Sequence, residues 1–175
     1  MLAHCLTALR LLLAVPTALA FAAPQYFPAW APLSFMLVAI ASDIADGKVA
    51  RAQGTASAAG QLFDHGTDCL FVTSALSGTA YAGLLTPWLP PLVLLAFTQY
   101  VVDSRFLHRQ KHLRMSAIGR RNGIFYFAPP LILASAALLS APLAEPLRTL
   151  AYWLAWALVL STLVSIFDRA LAPRI

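Results

Sequence analysis

The residues able to do chemistry gather in one stretch. From Ser42 to Asp68 the chain reads SDIADGKVARAQGTASAAGQLFDHGTD and carries four of the seven acidic residues, Asp43, Asp46, Asp64 and Asp68. It is flanked by FMLVAIA before and CLFVTSAL after. Carboxylates in apolar surroundings are costly unless something neutralises them. Acidic pairs at helical spacing are ordinarily a solvated face, but these flanks argue against that here.

The spacing says how the carboxylates are presented. Asp43 and Asp46 are three apart, with Gly47 and Ala50 continuing the stripe; Asp64 and Asp68 are four apart, with Gly60 one turn earlier. On two helices these become two short carboxylate columns beside small residues, which allow close approach of a helix or ligand. If AQGTASAAG turns the chain, the helices are antiparallel and the columns can face each other. An oxygen-only ligand set suits a hard cation such as Mg²⁺ or Mn²⁺, and Mg²⁺ commonly pairs a few carboxylates with substrate phosphates. Arg51, at the end of the first helix, is placed to meet such a phosphate.

The eight positions Asp43, Asp46, Gly47, Ala50, Arg51, Gly60, Asp64 and Asp68 fit D-x2-D-G-x2-A-R-x8-G-x3-D-x3-D without a gap. This resembles the signature of the CDP-alcohol phosphotransferases, a family of integral membrane enzymes. The resemblance implies that the four aspartates hold two divalent ions, that Asp68 is the general base on an acceptor hydroxyl, and that Gly47, Ala50 and Gly60 leave room for the nucleotide. Arg51 and Ser57 would contact its phosphates. It also implies a homodimer. The family often begins with Asn-x-x-Thr-x-x-Arg and a later proline; Thr7, Arg10 and Pro16 fit, with His4 where Asn is usual. Thr7 and Arg10 would then help hold the phosphates, although a plain topogenic arginine explains Arg10 equally well.

His65 stands between Asp64 and Gly66. It either orients a ligand carboxylate by hydrogen bonding or serves as a general base. Its Asp-His-Gly setting resembles the choline and ethanolamine phosphotransferase branch, whereas phosphatidylglycerophosphate synthases tend to have Asp-Pro.

The elements that must position these groups follow from composition. The chain has 175 residues, about one domain by length, and is 60% hydrophobic and 11% charged, a membrane composition. Six apolar segments, 5–22, 31–50, 60–85, 89–107, 120–140 and 148–170, each approach the roughly 20 residues needed to span the hydrocarbon as a helix. The expected fold is therefore all-α, a single membrane-embedded domain over residues 1–175 with six transmembrane helices. Pro129 and Pro130 are expected to kink the fifth.

Basic residues alternate with connection number. Lys48 and Arg51 flank the second, and Arg105, Arg109, Lys111, Arg114, Arg120 and Arg121 crowd the fourth, while AAPQYFPAWAP, TPWLPP and APLAEPLR carry only Glu145 and Arg148. This predicts both termini in the cytoplasm. Asp43 then lies about 10 Å inside, and Asp64 and Asp68 about 6 and 12 Å, all from the same side. The site is expected to open to the cytoplasm, in a bacterial inner membrane. The first segment ends in Ala-x-Ala like a cleaved signal, but Arg10 falls inside its apolar run, so retention as a span is expected.

The remaining handles are weaker. Arg105, Arg114 and Arg120 suit an anionic acceptor, or are simply a positive-inside loop; SAIGRRN also resembles the family's Gly-Lys turn, with Arg120 for Lys. The net charge of +5 is explained by topology and anionic lipid, with no nucleic-acid motif. Cys5 and Cys69 are too few for a disulfide framework. His108 and His112 lack a carboxylate partner motif, and Asp168 and Arg169 are expected to be an exposed pair.

The expected activity is transfer of a phosphatidyl group from CDP-diacylglycerol to a small alcohol, such as glycerol 3-phosphate, with release of CMP. Two alternatives stand beside it. One is a CDP-choline- or CDP-ethanolamine-type transfer to diacylglycerol. The other is a transporter with an intramembrane cation site, which explains the carboxylates but not Gly47, Ala50, Arg51 and Gly60 at their spacings.

Overall fold

The structure is a computed structural model describing residues 2–52, 58–103 and 117–171. All its regular elements are helical: α1 (Leu2–Ala22), α2 (Ala31–Ala52), α3 (Ala58–Tyr81), α4 (Leu89–Val102), α5 (Ala117–Phe125), α6 (Ala128–Ala136) and α7 (Ala141–Leu171), with a short 3-10 turn at Pro24–Tyr26.

The side-chain distribution is inverted relative to a water-soluble bundle. Leu12, Val15, Trp153, Leu160 and Phe167 are exposed, whereas Arg10, Asp46, Asn122 and a set of threonines are buried. Such an exterior is tolerable against hydrocarbon and not against water. Several of the buried hydroxyls are satisfied within their own helices: Thr17 donates to the Leu13 carbonyl at 2.7 Å, Thr67 to Phe63 at 2.9 Å and Thr162 to Leu158 at 2.6 Å. Among the described residues, α7 alone is long and apolar enough by itself to cross a membrane; Leu6–Ala22 and Leu89–Val102 are shorter apolar helices. The aspartates and basic residues of α2 are what lower its apolar character.

α1 is central, pairing extensively with both α2 and α3. Its crossing with α3 is a backbone contact. A Cβ on Gly78 would lie 2.3 Å from the Ala18 carbonyl oxygen, so only glycine permits the approach. The end of α3 is closed by Gly83 at φ 71, with Gly83 N–H donating to the Ala80 carbonyl and Leu84 N–H to that of Thr79. This is the left-handed cap that glycine adopts without steric cost.

The fifth segment differs from expectation. Residues 120–140 are not one kinked helix: α5 ends at Phe125 and α6 restarts at Ala128, with Pro129 and Pro130 in its first turn. Proline is at home in a first turn, where N–H groups have no helical acceptor. The break is pinned to α7. Thr162 already gives its proton to Leu158, so the Tyr126 hydroxyl donates to Thr162 Oγ1 at 2.8 Å, and Ser161 donates to Asn122 Oδ1 at 2.7 Å. α7 also begins at Ala141, earlier than the segment starting at 148.

Candidate active site

α2 carries Asp43 and Asp46, α3 carries Asp64 and Asp68, and α1 inserts Arg10 among them. Its relative exposure is 1%, and it is the bulkiest fully buried side chain among the described residues. Each terminal nitrogen spans both columns. Nη1 donates to Asp43 Oδ1 at 2.8 Å and to Asp68; Nη2 donates to Asp64 Oδ1 at 2.5 Å and to Asp46. The pairing of Asp43 with Asp68 and of Asp46 with Asp64 is the one antiparallel columns produce. Thr7, one turn before Arg10, donates to Asp46 Oδ2 at 3.2 Å.

One guanidinium facing four carboxylates leaves the cluster short of positive charge. Asp43, Asp64 and Asp68 each offer an oxygen within 4.8 Å of the others. That donor set, with no sulfur or nitrogen, fits a hard divalent cation. Asp46 is outside this mutual set but shares Arg10 Nη2 with Asp64, and is buried against Thr7 and Arg10.

In front of the cluster is a cavity of about 870 Å³, within the size range of small-molecule sites. Asp43, His65 and Asp68 form its acidic wall, and Val72, Val93, Phe97, Tyr126 and Leu131 are among its apolar lining. Asp43 and Asp68 thus touch both Arg10 and the cavity. His65 contributes to the same wall; its Nδ1 is buried without a hydrogen-bond partner, 3.9 Å from Asp64 Oδ2.

Two cationic residues complete the lining. Arg120 of α5, named from sequence as a candidate for an anionic acceptor, is among the lining residues. Arg169 does as well, and this corrects the expectation of an exposed pair with Asp168. Asp168 is exposed, but the Arg169 guanidinium sits 5.3 Å over the Tyr100 ring, an attractive cation–π contact. No sequence motif marked Arg169, Tyr100, Phe97 or Tyr126, because the cavity wall is assembled from six helices, α2 to α7. Gly78 had a usable signal: Ala14 and Ala18 on α1, and Ser74 and Gly78 on α3, are small residues at i, i+4.

Gly60 lies one turn before Asp64 on α3, partly buried. Gly47, Ala50 and Arg51 lie on the helical backbone at the end of α2, and their side chains are outside the described residues, as are Ser57, Arg105 and Arg114.

The family model for CDP-alcohol phosphatidyltransferase matches residues 1–168. The chain belongs to that family. Neither a curated protein nor a solved structure matches it significantly. Membership makes the protein a transferase of the CDP-alcohol class, membrane-associated and acting in phospholipid synthesis. The family uses divalent metals, and the aspartate triad is the group here able to bind one.

Proposed function

We propose that this protein transfers the phosphatidyl group of CDP-diacylglycerol to the hydroxyl of a small alcohol, such as glycerol 3-phosphate, releasing CMP. The observation that carries this is the joining of acidic and apolar walls in one cavity, with Asp43 and Asp68 beside Val72, Val93 and Leu131. A substrate with a charged diphosphate and a lipid body needs both surfaces.

In this reading Asp43, Asp46, Asp64 and Asp68 hold two divalent ions, Mg²⁺ or Mn²⁺, which would bind the diphosphate and stabilise charge on the departing CMP. Asp68 takes the proton of the acceptor hydroxyl. The new bond joins that oxygen to the lipid phosphorus, and the bond broken is the one from this phosphorus to CMP. Gly47, Ala50 and Gly60 give the nucleotide room, and Arg51, Ser57 and Thr7 contact its phosphates. Arg120, with Arg105 and Arg114, faces an anionic acceptor. The chain acts as one domain with six spans and both termini in the cytoplasm, α5 and α6 together making the fifth crossing. Each of the two has nine residues, about 13 Å of rise, too short to cross alone. A homodimer is expected.

The second reading, a CDP-linked amino alcohol donating to diacylglycerol, is favoured by His65 in the cavity wall. One experiment addresses both. Purified protein is incubated with labelled CDP-diacylglycerol and a panel of alcohols, and in parallel with CDP-choline or CDP-ethanolamine and diacylglycerol. CMP release and a labelled phospholipid are expected in the first set. Product only in the second set selects the amino-alcohol reading, and CMP in neither returns the transporter.

A further inference from the structure

The site is built around a cation that belongs to the chain. The four terminal N–H groups of Arg10 are committed one to each aspartate, and only Nε is left without a partner. Asp43, Asp64 and Asp68, whose oxygens lie within 4.8 Å of one another, are three of those four acceptors. A guanidinium is permanently charged and bonds through carboxylate lone pairs. A hard divalent cation binds through the same lone pairs. The guanidinium stands among the oxygens such a cation needs, and like charges so close repel strongly where water is excluded.

We propose that Arg10 is the resident counter-cation of the metal-free site, and that a divalent cation binding Asp43, Asp64 and Asp68 displaces its guanidinium from them. Without Arg10, four carboxylates on two neighbouring helices would repel one another at close range, Asp46 from a buried position. With it, the columns of α2 and α3 are held in register before any metal arrives. The displaced guanidinium still requires an anion, and a substrate diphosphate supplies one, so metal loading and substrate binding are linked through this side chain. The inference rests on the reading of the aspartates as metal ligands.

The test uses the full-length chain in detergent and Mn²⁺ alone, with calorimetric titration and thermal unfolding as readouts. Arg10→Gln removes the competitor, so its Mn²⁺ Kd is expected to fall about tenfold, within the usual range for coupled sites. Its Tm in EDTA is expected to drop below that of the wild type, and its Tm gain on adding Mn²⁺ to be larger. Should metal-free Arg10→Gln fail to fold, Asp46→Asn is compared with Asp46→Asn/Arg10→Gln. That pair keeps the triad and lowers the uncompensated charge, and the same tightening is expected on losing Arg10. A Kd unchanged or weakened by loss of Arg10 overturns the proposal while leaving the metal site standing. Absence of Mn²⁺ binding in wild type and variants alike overturns the metal reading and the proposal with it.

Discussion

Gly78 of α3 lies directly against the backbone of Ala18 in α1, and a Cβ on Gly78 would stand 2.3 Å from the Ala18 carbonyl oxygen. The obstacle is main chain and cannot rotate aside, so one of the two helices has to move. Because α1 carries Arg10 and α3 carries Asp64 and Asp68, this crossing also sets the geometry of the cluster. Gly78→Ala is expected to cost about 1–3 kcal/mol and to lower Tm. The control is Gly123→Ala on α5, where an added Cβ meets open space; helix propensity there predicts a neutral or slightly stabilising change, up to about 1 kcal/mol. Equal Tm values for the two variants would show that the α1–α3 contact is not tight.

The hydrogen bond from Tyr126 to Thr162 ties the α5–α6 break to α7. Tyr126→Phe removes one donor and leaves Thr162 still bonded to the Leu158 carbonyl, so no buried donor is orphaned. The expected loss is modest, about 0.6–1 kcal/mol, as for hydrogen bonds between helices in lipid. A double-mutant cycle with Thr162→Val, read by denaturant or thermal unfolding, isolates the pair. A coupling energy near zero would remove this bond from the account of the break.

The stretch from Ser42 to Asp68 was highly legible because its information is local. Fixed spacings on two helices set which carboxylates share a face, and the pairing of Asp43 with Asp68 and Asp46 with Asp64 follows from an antiparallel arrangement. The partner of those carboxylates was much less legible. Arg10 looked like a phosphate ligand or a topogenic charge, since nothing local to α1 says that it packs between α2 and α3. The divided fifth segment was hidden for a related reason. Hydropathy averages over Tyr126 and Phe127, and it is the hydroxyl of Thr162, distant in sequence, that gives the interruption a partner. Arg169 was misplaced because its aromatic support, Tyr100, lies on another helix.

The alternation of basic connections predicts which ends face outward. In a background with Cys5 and Cys69 replaced by Ala, a membrane-impermeant thiol reagent applied to intact cells should label Gln25→Cys, in the exposed turn between α1 and α2, and not Ala170→Cys, exposed near the end of α7. The reverse pattern would invert the topology. Labelling of both would require an even number of crossings between them, against the five of the six-span reading.

Metal removal tests the oxygen-only ligand set directly. Transferase activity is expected to vanish in EDTA and to return with Mg²⁺ or Mn²⁺, because the triad of Asp43, Asp64 and Asp68 offers no nitrogen or sulfur that would favour a softer ion. Full turnover by chelated, metal-free protein would exclude the proposed mechanism.

Asp68 and His65 compete for the role of base. They are three apart on α3, and both line the cavity. A carboxylate engaged with cations holds a proton weakly, which counts against Asp68; the same cations polarise the acceptor hydroxyl and ease its deprotonation, which counts for it. Asp68→Asn removes charge and base together, and its kcat is expected to fall about a thousandfold or more. His65→Ala, if the imidazole only orients its neighbours, should cost about ten- to a hundredfold. Both variants are measured at saturating metal, with CDP-diacylglycerol binding followed in parallel so that lost chemistry is separated from lost affinity. A His65→Ala protein that binds metal and nucleotide normally, yet is as inactive as Asp68→Asn, would transfer the base to His65. The amino-alcohol reading would then account for this site better than transfer to a small alcohol.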